Sequence, residues 1–512
     1  MTKKKLSSID VCFVIPNSAK KAYQKLADVY SAIEPPTWAL LLANALRKKN
    51  YESIILDFDG EPKDIDQSVK EIAETQPKIV IFVLYGQTPN HGTTMMIGAS
   101  ELAEHLKKNF SNLKIGFIGS HTSALPKEVI KLNYVDFAFI NEGVIALLSL
   151  LQTDLKNNLE QVPGIWFKDE EGNPKKGKPG QIILTEKMDV MMPGYAWDLL
   201  PKNNKPFDKY RSHFWHANFL HEKRTPFAAI YTSLGCQFAC NFCMINIVNR
   251  TSHEDNISSA DSAKMRFWSP DFILNEFEKL YEFGVRTLRI TDEMFFLNRK
   301  YYVPILEGLI ERGLKFNLWA YARVDTVRND QLELFKKAGV NWLCLGIESG
   351  NQKVRVEIDK GRFKEINIRE VVKNIKNAGI YVLGNYIFGL PDDNFKTMNE
   401  TLDLAIELNC EHTNFYPAQA LPGSPLYLYA RQQNWDIPKK YEEFAFLSYD
   451  CKPLRTKHLS ASDVLKFRDD AWHKVFSDTS FLNLVNKQFG EQAKKNVEDM
   501  SKIRLKRKIL GD

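Results

Sequence analysis

No stretch of this 512-residue chain reaches the roughly 18 consecutive apolar residues of a membrane span. No secretory leader is visible either: Met1-Thr-Lys-Lys-Lys is followed by Ser7, Ser8 and Asp10 rather than by an apolar run. A cytoplasmic location is expected. Charge of one sign is not in excess, since 69 Lys and Arg stand against 63 Asp and Glu, a formal net charge of +6. Nothing there argues for nucleic acid as a main partner, and the basic stretch Lys502 to Lys508 reads as a solvated helix end or tail. Cysteine is scarce and odd in number: seven, of which Cys12, Cys344, Cys410 and Cys451 stand alone. That pattern excludes a disulfide framework in a chain of this size. Internal repeats and low-complexity tracts are absent as well.

What is present is alternation. At this length two or three domains are expected, and 44% hydrophobic with 26% charged residues is globular composition rather than disorder. Val11 to Ile15, Ser53 to Leu56, Ile79 to Leu84, Ile115 to Ile118 and Val135 to Ile140 read as buried parallel strands. Helical periodicity fills Thr37–Lys49, Ile65–Glu74 and Thr93–Asn109 between them. This predicts a doubly wound α/β domain over 1–155, with ligands at the carboxyl ends of its strands. Residues 156–222, rich in glycine and proline, read as a hairpin and linker whose aromatic second half (His213-Phe-Trp-His216) packs on a domain. A second array follows over 223–430, with strands at Phe227–Ser233, Arg286–Thr291, Phe316–Tyr321, Trp342–Glu348, Tyr381–Phe388 and His412–Tyr416. One intervening helix starts at Ser269-Pro270-Asp271, where Ser suits the N-cap and Pro the first helical position. Six such units predict a partial (β/α) barrel with its site at the strand C-termini. Residues 431–512 read as helical.

The three remaining cysteines crowd into Leu234-Gly-Cys236-Gln-Phe-Ala-Cys240-Asn-Phe-Cys243, directly after the first barrel strand. Gaps of this kind let one loop wrap three corners of an iron–sulfur cube. Full protein ligation needs a fourth cysteine, and none lies nearby, so one iron is left open. A three-ligand zinc site, or a cluster completed by distant Cys344, are the alternatives at this point.

Cys-x3-Cys-x2-Cys after strand one of a (β/α) barrel resembles the radical S-adenosylmethionine (SAM) superfamily, over Phe227 to Tyr427. The resemblance implies a [4Fe–4S] cluster on Cys236, Cys240 and Cys243 whose open iron chelates SAM, and reductive cleavage of SAM to a 5′-deoxyadenosyl radical. It places Phe242 at the adenine, Glu293 of Thr291-Asp292-Glu293 at the SAM amino group, Arg323 at the SAM carboxylate, and Glu348 and Ser349 near the ribose. Glu34-Pro35-Pro36, Leu56-Asp57, Gly119-Ser120-His121 and Asn141-Glu142-Gly143 resemble the cobalamin (B12)-binding module of one radical SAM class. This implies cobalamin contacts at Ser120 and Glu142. Ser120 stands where that module has a second glycine, and Val144-Ile145 replaces a second acidic residue. The Asp-x-His-x-x-Gly signature of other cobalamin proteins is absent, and His91 and His121 read as loop polar residues rather than cobalt ligands.

The class implies methyl transfer to an unactivated carbon, or to a phosphinate phosphorus, of a small-molecule substrate, with an electron donor such as flavodoxin or ferredoxin. The same cofactors serve ring formation, oxidation or rearrangement in the anaerobic porphyrin cyclases this architecture also resembles. A non-catalytic iron–sulfur protein is the alternative of another class.

Overall fold

Five apolar runs of the N-terminal part become parallel strands in the computed structural model, which describes residues 9–200, 205–357 and 366–512. The first eight residues, on which the reading of the N-terminus rests, lie outside the described residues. So do 201–204 of the expected linker and 358–365 of the expected barrel. The strands are β1 (Val11–Ile15), β2 (Ser53–Asp57), β3 (Ile79–Leu84), β4 (Lys114–Gly119) and β5 (Phe137–Phe139). Every residue of β1, β3 and β5 is buried, as continuous apolar runs must be when helices cover both faces of a sheet. The spatial order β2-β1-β3-β4-β5 is doubly wound and reverses between β1 and β3, where ligands of such sheets bind. The hairpin expected beyond residue 155 joins the same sheet: β6 (Ile165–Lys168) pairs antiparallel with β5, and β7 (Pro174–Lys176) with β6.

The chain divides into two compact units. The first holds the chain up to Ser18, Pro36–Pro206 and Met244–Trp268; the second holds Ala19–Pro35, Phe207–Cys243 and Ser269–Asp512. The chain thus places β8 (Phe227–Ile230) and β9 (Ser233–Cys236) in the second unit, β10 (Lys264–Phe267) in the first, and the rest in the second. These are β11 (Thr287–Ile290), β12 (Asn317–Arg323), β13 (Val340–Glu348), β14 (Tyr381–Phe388) and β15 (His412–Pro417).

Six strands of the second unit form one parallel sheet in the order β8-β11-β12-β13-β14-β15, a half-barrel in which sequence neighbours are spatial neighbours. The connections are helical. Pro270–Glu282 starts as its sequence dictates, with Ser269 Oγ accepting the Phe272 N–H at 3.3 Å and proline in the first turn.

An aromatic plug fills the N-terminal end of this sheet. Trp215 lies 5.2 Å from Trp319 near the start of β12 and 5.0 Å from Trp342 near the start of β13. His216 Nε2 meets the Asn317 carbonyl at 3.1 Å. The helical C-terminal region closes the plug from below. Phe489 stacks on Trp342 at 5.9 Å and 12°, and Phe476 meets His412 at the start of β15 at 5.2 Å. The expected site residues lie at the other end, where the strands finish. Among the described residues no helix is long and apolar enough to cross a membrane.

Candidate functional site

The entry to the cysteine loop is fixed from the neighbouring strand. Asp292, just past β11, accepts the Thr232 N–H and the Thr232 hydroxyl, both at 2.6 Å, and the Ser233 hydroxyl at 2.5 Å. Tyr301 donates to the Thr232 carbonyl at 2.6 Å. Charge-assisted bonds of this kind are about twice as strong as neutral ones. They break the expected strand Phe227–Ser233 into β8 and β9. Gly235 then turns the chain at φ +82°, a conformation that glycine adopts without strain.

Cys236 is buried and Cys240 and Cys243 are half-buried; none of the seven cysteines is in a disulfide. Burial pushes the Cys236 thiol up to about 12, against the smaller opposing effect of the Phe238 N–H, 3.5 Å from Sγ. A thiolate in that setting needs adjacent cationic charge, which coordinated iron supplies. Three thiols are the donors that an iron–sulfur cluster takes, so the chemistry of these side chains fits one. Among the described residues no three His, Cys, Asp or Glu side chains stand close enough together to hold a single metal ion. The loop is anchored further along: the Cys243 N–H donates to the Cys240 carbonyl at 3.1 Å and the Leu426 N–H to the Asn241 carbonyl at 2.7 Å. Phe242 packs with Tyr416 on an apolar cluster of Val354, Ile387, Leu390 and Ala418.

The expected SAM contacts lie at successive strand ends. Glu293 follows β11, and its buried Oε1 has no hydrogen-bond partner among the described residues. Desolvation, with Asp292 adding to it and Arg289 opposing it, raises its carboxyl to about 7. An unmet buried acceptor fits an incoming ammonium. Glu348 ends β13 at φ +65°, beside an irregularity in the β13–β14 register. A non-glycine residue held in this conformation costs about 1–3 kcal/mol, a strain that clusters at active sites.

Two expected contacts are otherwise engaged. Arg323 ends β12 with its Nε and Nη2 on Asp325 at 2.8 and 2.7 Å and its plane 3.8 Å from the Phe238 ring, so the fork expected for the SAM carboxylate is filled. The Ser349 hydroxyl lies 3.1 Å from that of Thr401 and accepts the Asn351 N–H at 3.1 Å. It shapes the turn after β13.

In the first unit, the loops after β3 and β4 touch closely. A Cβ at Gly92 would stand 2.6 Å from the Leu84 carbonyl oxygen, so only glycine fits. The Ser120 hydroxyl donates to the Pro89 carbonyl. His121 is buried, pushed down to about 4 by desolvation, with Nδ1 3.0 Å from the Thr93 hydroxyl. Thr122 Oγ1, one residue on, is buried with no partner among the described residues. Asn90 Oδ1 accepts the N–H of Met244, the residue after Cys243, at 3.2 Å. Glu142 is engaged completely: its carboxylate meets Arg266 Nη1 and Nη2, each at 3.1 Å, and the Ile183 N–H at 2.7 Å. The resemblance implied a cobalamin contact there; the geometry makes it one half of a buried ion pair. Its partner lies 124 residues away. The space beside Gly92 is filled by Leu84 and Ser120 of the chain itself, which leaves the Thr122 hydroxyl as the unmet group of these loops among the described residues.

Comparison with known proteins gives two family matches: the radical SAM superfamily over residues 230–405 and the B12 binding domain over 23–151. An uncharacterized methyltransferase of Pyrococcus horikoshii is 25% identical over 86% of this chain and 87% of its own. An anaerobic magnesium-protoporphyrin IX monomethyl ester cyclase of Cereibacter sphaeroides is 23% identical over 78% of this chain and 61% of its own. A cytidylyl-2-hydroxyethylphosphonate methyltransferase of Streptomyces wedmorensis is 21% identical over 78% of each. Among solved structures, the radical SAM methyltransferase TsrM of Kitasatospora setae superposes with TM-score 0.65 at 14% identity, over 97% of this chain and 99% of its own. The cobalamin-dependent SAM radical enzyme OxsB does so with TM-score 0.66 at 15% identity, over 96% and 78%. These likenesses are of fold.

Proposed function

We propose that this chain, which matches the radical SAM superfamily over residues 230–405 and the B12 binding domain over 23–151, is a cobalamin-dependent methyltransferase acting on an unactivated carbon or a phosphinate phosphorus of a small molecule. The observation that carries the reading is the cysteine loop at the carboxyl end of β8 beside the unmet acceptor of Glu293. Cys236, Cys240 and Cys243 hold the cluster. A [4Fe–4S] cluster supplies the electron that cleaves SAM and an open iron for it, and cobalamin supplies the methyl carrier.

The chain's own groups do the rest. Asp292 keeps the cysteine loop in register with β11. Glu293 takes the ammonium of SAM when its carboxyl is ionised. Phe242, Glu348 and the turn shaped by Ser349 border the nucleoside. Trp215 and its neighbours keep water out of the N-terminal end of the half-barrel, which favours a radical that would otherwise be lost to side reactions. The B12 binding domain match over residues 23–151 supports a bound corrinoid in the first unit.

The test is anaerobic reconstitution with iron, sulfide and hydroxocobalamin, followed by SAM and a strong reductant. Bound corrinoid together with 5′-deoxyadenosine or S-adenosylhomocysteine is expected; a chain with neither product is no enzyme of this class. The relationship to the cyclase favours a second reading, oxidative ring formation on the same cofactors. Once a substrate is in hand, a gain of one methylene in product mass separates methyl transfer from a loss of hydrogens.

A further inference from the structure

Arg289 sits within β11 between Leu288 and Ile290, only 1% exposed. Strand alternation puts its side chain on the face opposite those two, shared with Thr291. A buried guanidinium is costly unless its donors are met. One is met: Nη1 donates to Glu34 Oε1 at 2.6 Å, and His213 Nε2 lies 3.6 Å from the same oxygen. Nε and Nη2 are buried and have no hydrogen-bond partner among the described residues. These two N–H groups line one edge of the guanidinium plane and form the fork that grips both oxygens of a carboxylate or phosphonate. Arg323 on the next strand shows that fork filled, by Asp325. The Arg289 plane is braced 4.6 Å from Trp319 and 5.5 Å from Tyr321, and Trp319 Nε1 is a further buried donor without a partner. Two unmet donors thus belong to one fixed cation and a third to the ring beside it, with Glu34 holding the cation from the side opposite the fork.

We infer that the Nε/Nη2 fork of Arg289 receives an oxyanion of the substrate, so that the molecule acted on is an acid, bearing a carboxylate or a phosphonate. This rests on the proposed methyltransferase reading and narrows its substrate class. Arg289 is then a binding and specificity residue, and Glu34 a positioning residue that acts through it.

The experiment uses the cluster-loaded full chain and the variants R289Q and R289K, with acetate, methylphosphonate and acetamide as probes. Thermal denaturation against probe concentration gives an apparent Kd, and equilibrium dialysis gives the Kd for SAM. In the wild type, acetate or methylphosphonate raises Tm saturably and acetamide does not. R289Q weakens the anion by about tenfold to a hundredfold, the worth of a charged hydrogen bond. R289K, which keeps the charge and loses the fork, falls between, and SAM affinity is unchanged in both. Since R289Q leaves Glu34 buried without its cation, E34Q/R289Q serves as the variant with no buried charge and shows the same anion loss. Three results overturn the inference. They are no saturable anion shift in the wild type, equal shifts in wild type and R289Q, or a fall in SAM affinity that follows the anion site, which would give the fork to the SAM carboxylate. Failure of the wild type to cleave SAM would instead sink the enzymatic reading and leave the anion titration standing.

Discussion

Replacing Arg266 by methionine tests what Glu142 is for. Both side chains are 0% exposed. Besides its two contacts with Glu142, Arg266 donates to the Ile183 carbonyl at 2.8 Å and to Asn249 Oδ1 at 2.9 Å. Arg266→Met leaves a carboxylate with one backbone N–H in a site without solvent. Removing one partner of such a pair costs about 3–5 kcal/mol. At about 2–4 °C per kcal/mol for a unit of this size, the first transition on heating falls by about 6–20 °C. Glu142→Gln combined with Arg266→Met leaves no uncompensated charge and recovers a large part of the loss, a coupling that a double-mutant cycle measures directly. Scanning calorimetry with corrinoid binding below the transition is the assay. The reasoning is refuted if Arg266→Met melts within about 2 °C of the wild type. It is refuted equally if Glu142→Gln keeps the wild-type Tm yet loses corrinoid, which would restore the cofactor contact that the local resemblance implied.

Cys236→Ala, Cys240→Ala and Cys243→Ala each bring cluster iron and 5′-deoxyadenosine formation to background while the circular dichroism spectrum stays native. Retention of either readout in all three would place the cluster elsewhere. Glu293→Gln tests the raised carboxyl. Its folded value near 7 against the ordinary 4.5 means that the folded state holds the proton more tightly. The wild type is therefore most stable, as far as this group goes, below pH 4.5, and loses about 3 kcal/mol as pH climbs from there through 7. Glu293→Gln removes that loss, so it stabilises at pH 8 and not at pH 4; a pH-independent effect contradicts the assignment. SAM affinity of the wild type falls as pH drops through 7, and that of Glu293→Gln is weaker and flat. Trp215→Ala opens the plug between Trp319 and Trp342 and costs about 3–5 kcal/mol, seen in chemical denaturation; a change under about 1 kcal/mol would make the plug a loose cover.

Much of the half-barrel was legible because its strands are apolar runs bounded by turns, and Tyr381–Phe388 has the expected limits. The cysteine loop stands out by its spacing, while the group it is expected to hold comes from the family resemblance. What escaped depends on contacts that periodicity does not report. The first barrel strand reads as continuous through Ser233, yet the break at Thr232 is made by Asp292, 60 residues later. Glu142 sits in a turn that resembles a cofactor motif, and only Arg266 reveals its other use. Arg289 stood in plain view as a charge between Leu288 and Ile290, but its meaning waits on Glu34, 255 residues upstream. Arg323 reads as a carboxylate fork, and the carboxylate that fills it is Asp325, in the turn just past the end of β12.

The first unit is not written in one piece, since Met244–Trp268 belongs to it. During synthesis, Glu142 emerges from the ribosome 124 residues before Arg266 exists to neutralise it. At about 5–20 residues per second that wait lasts about 6–25 seconds. The nascent domain must pass that interval with a carboxylate it cannot yet bury, so it reaches its native state only once part of the barrel has been translated.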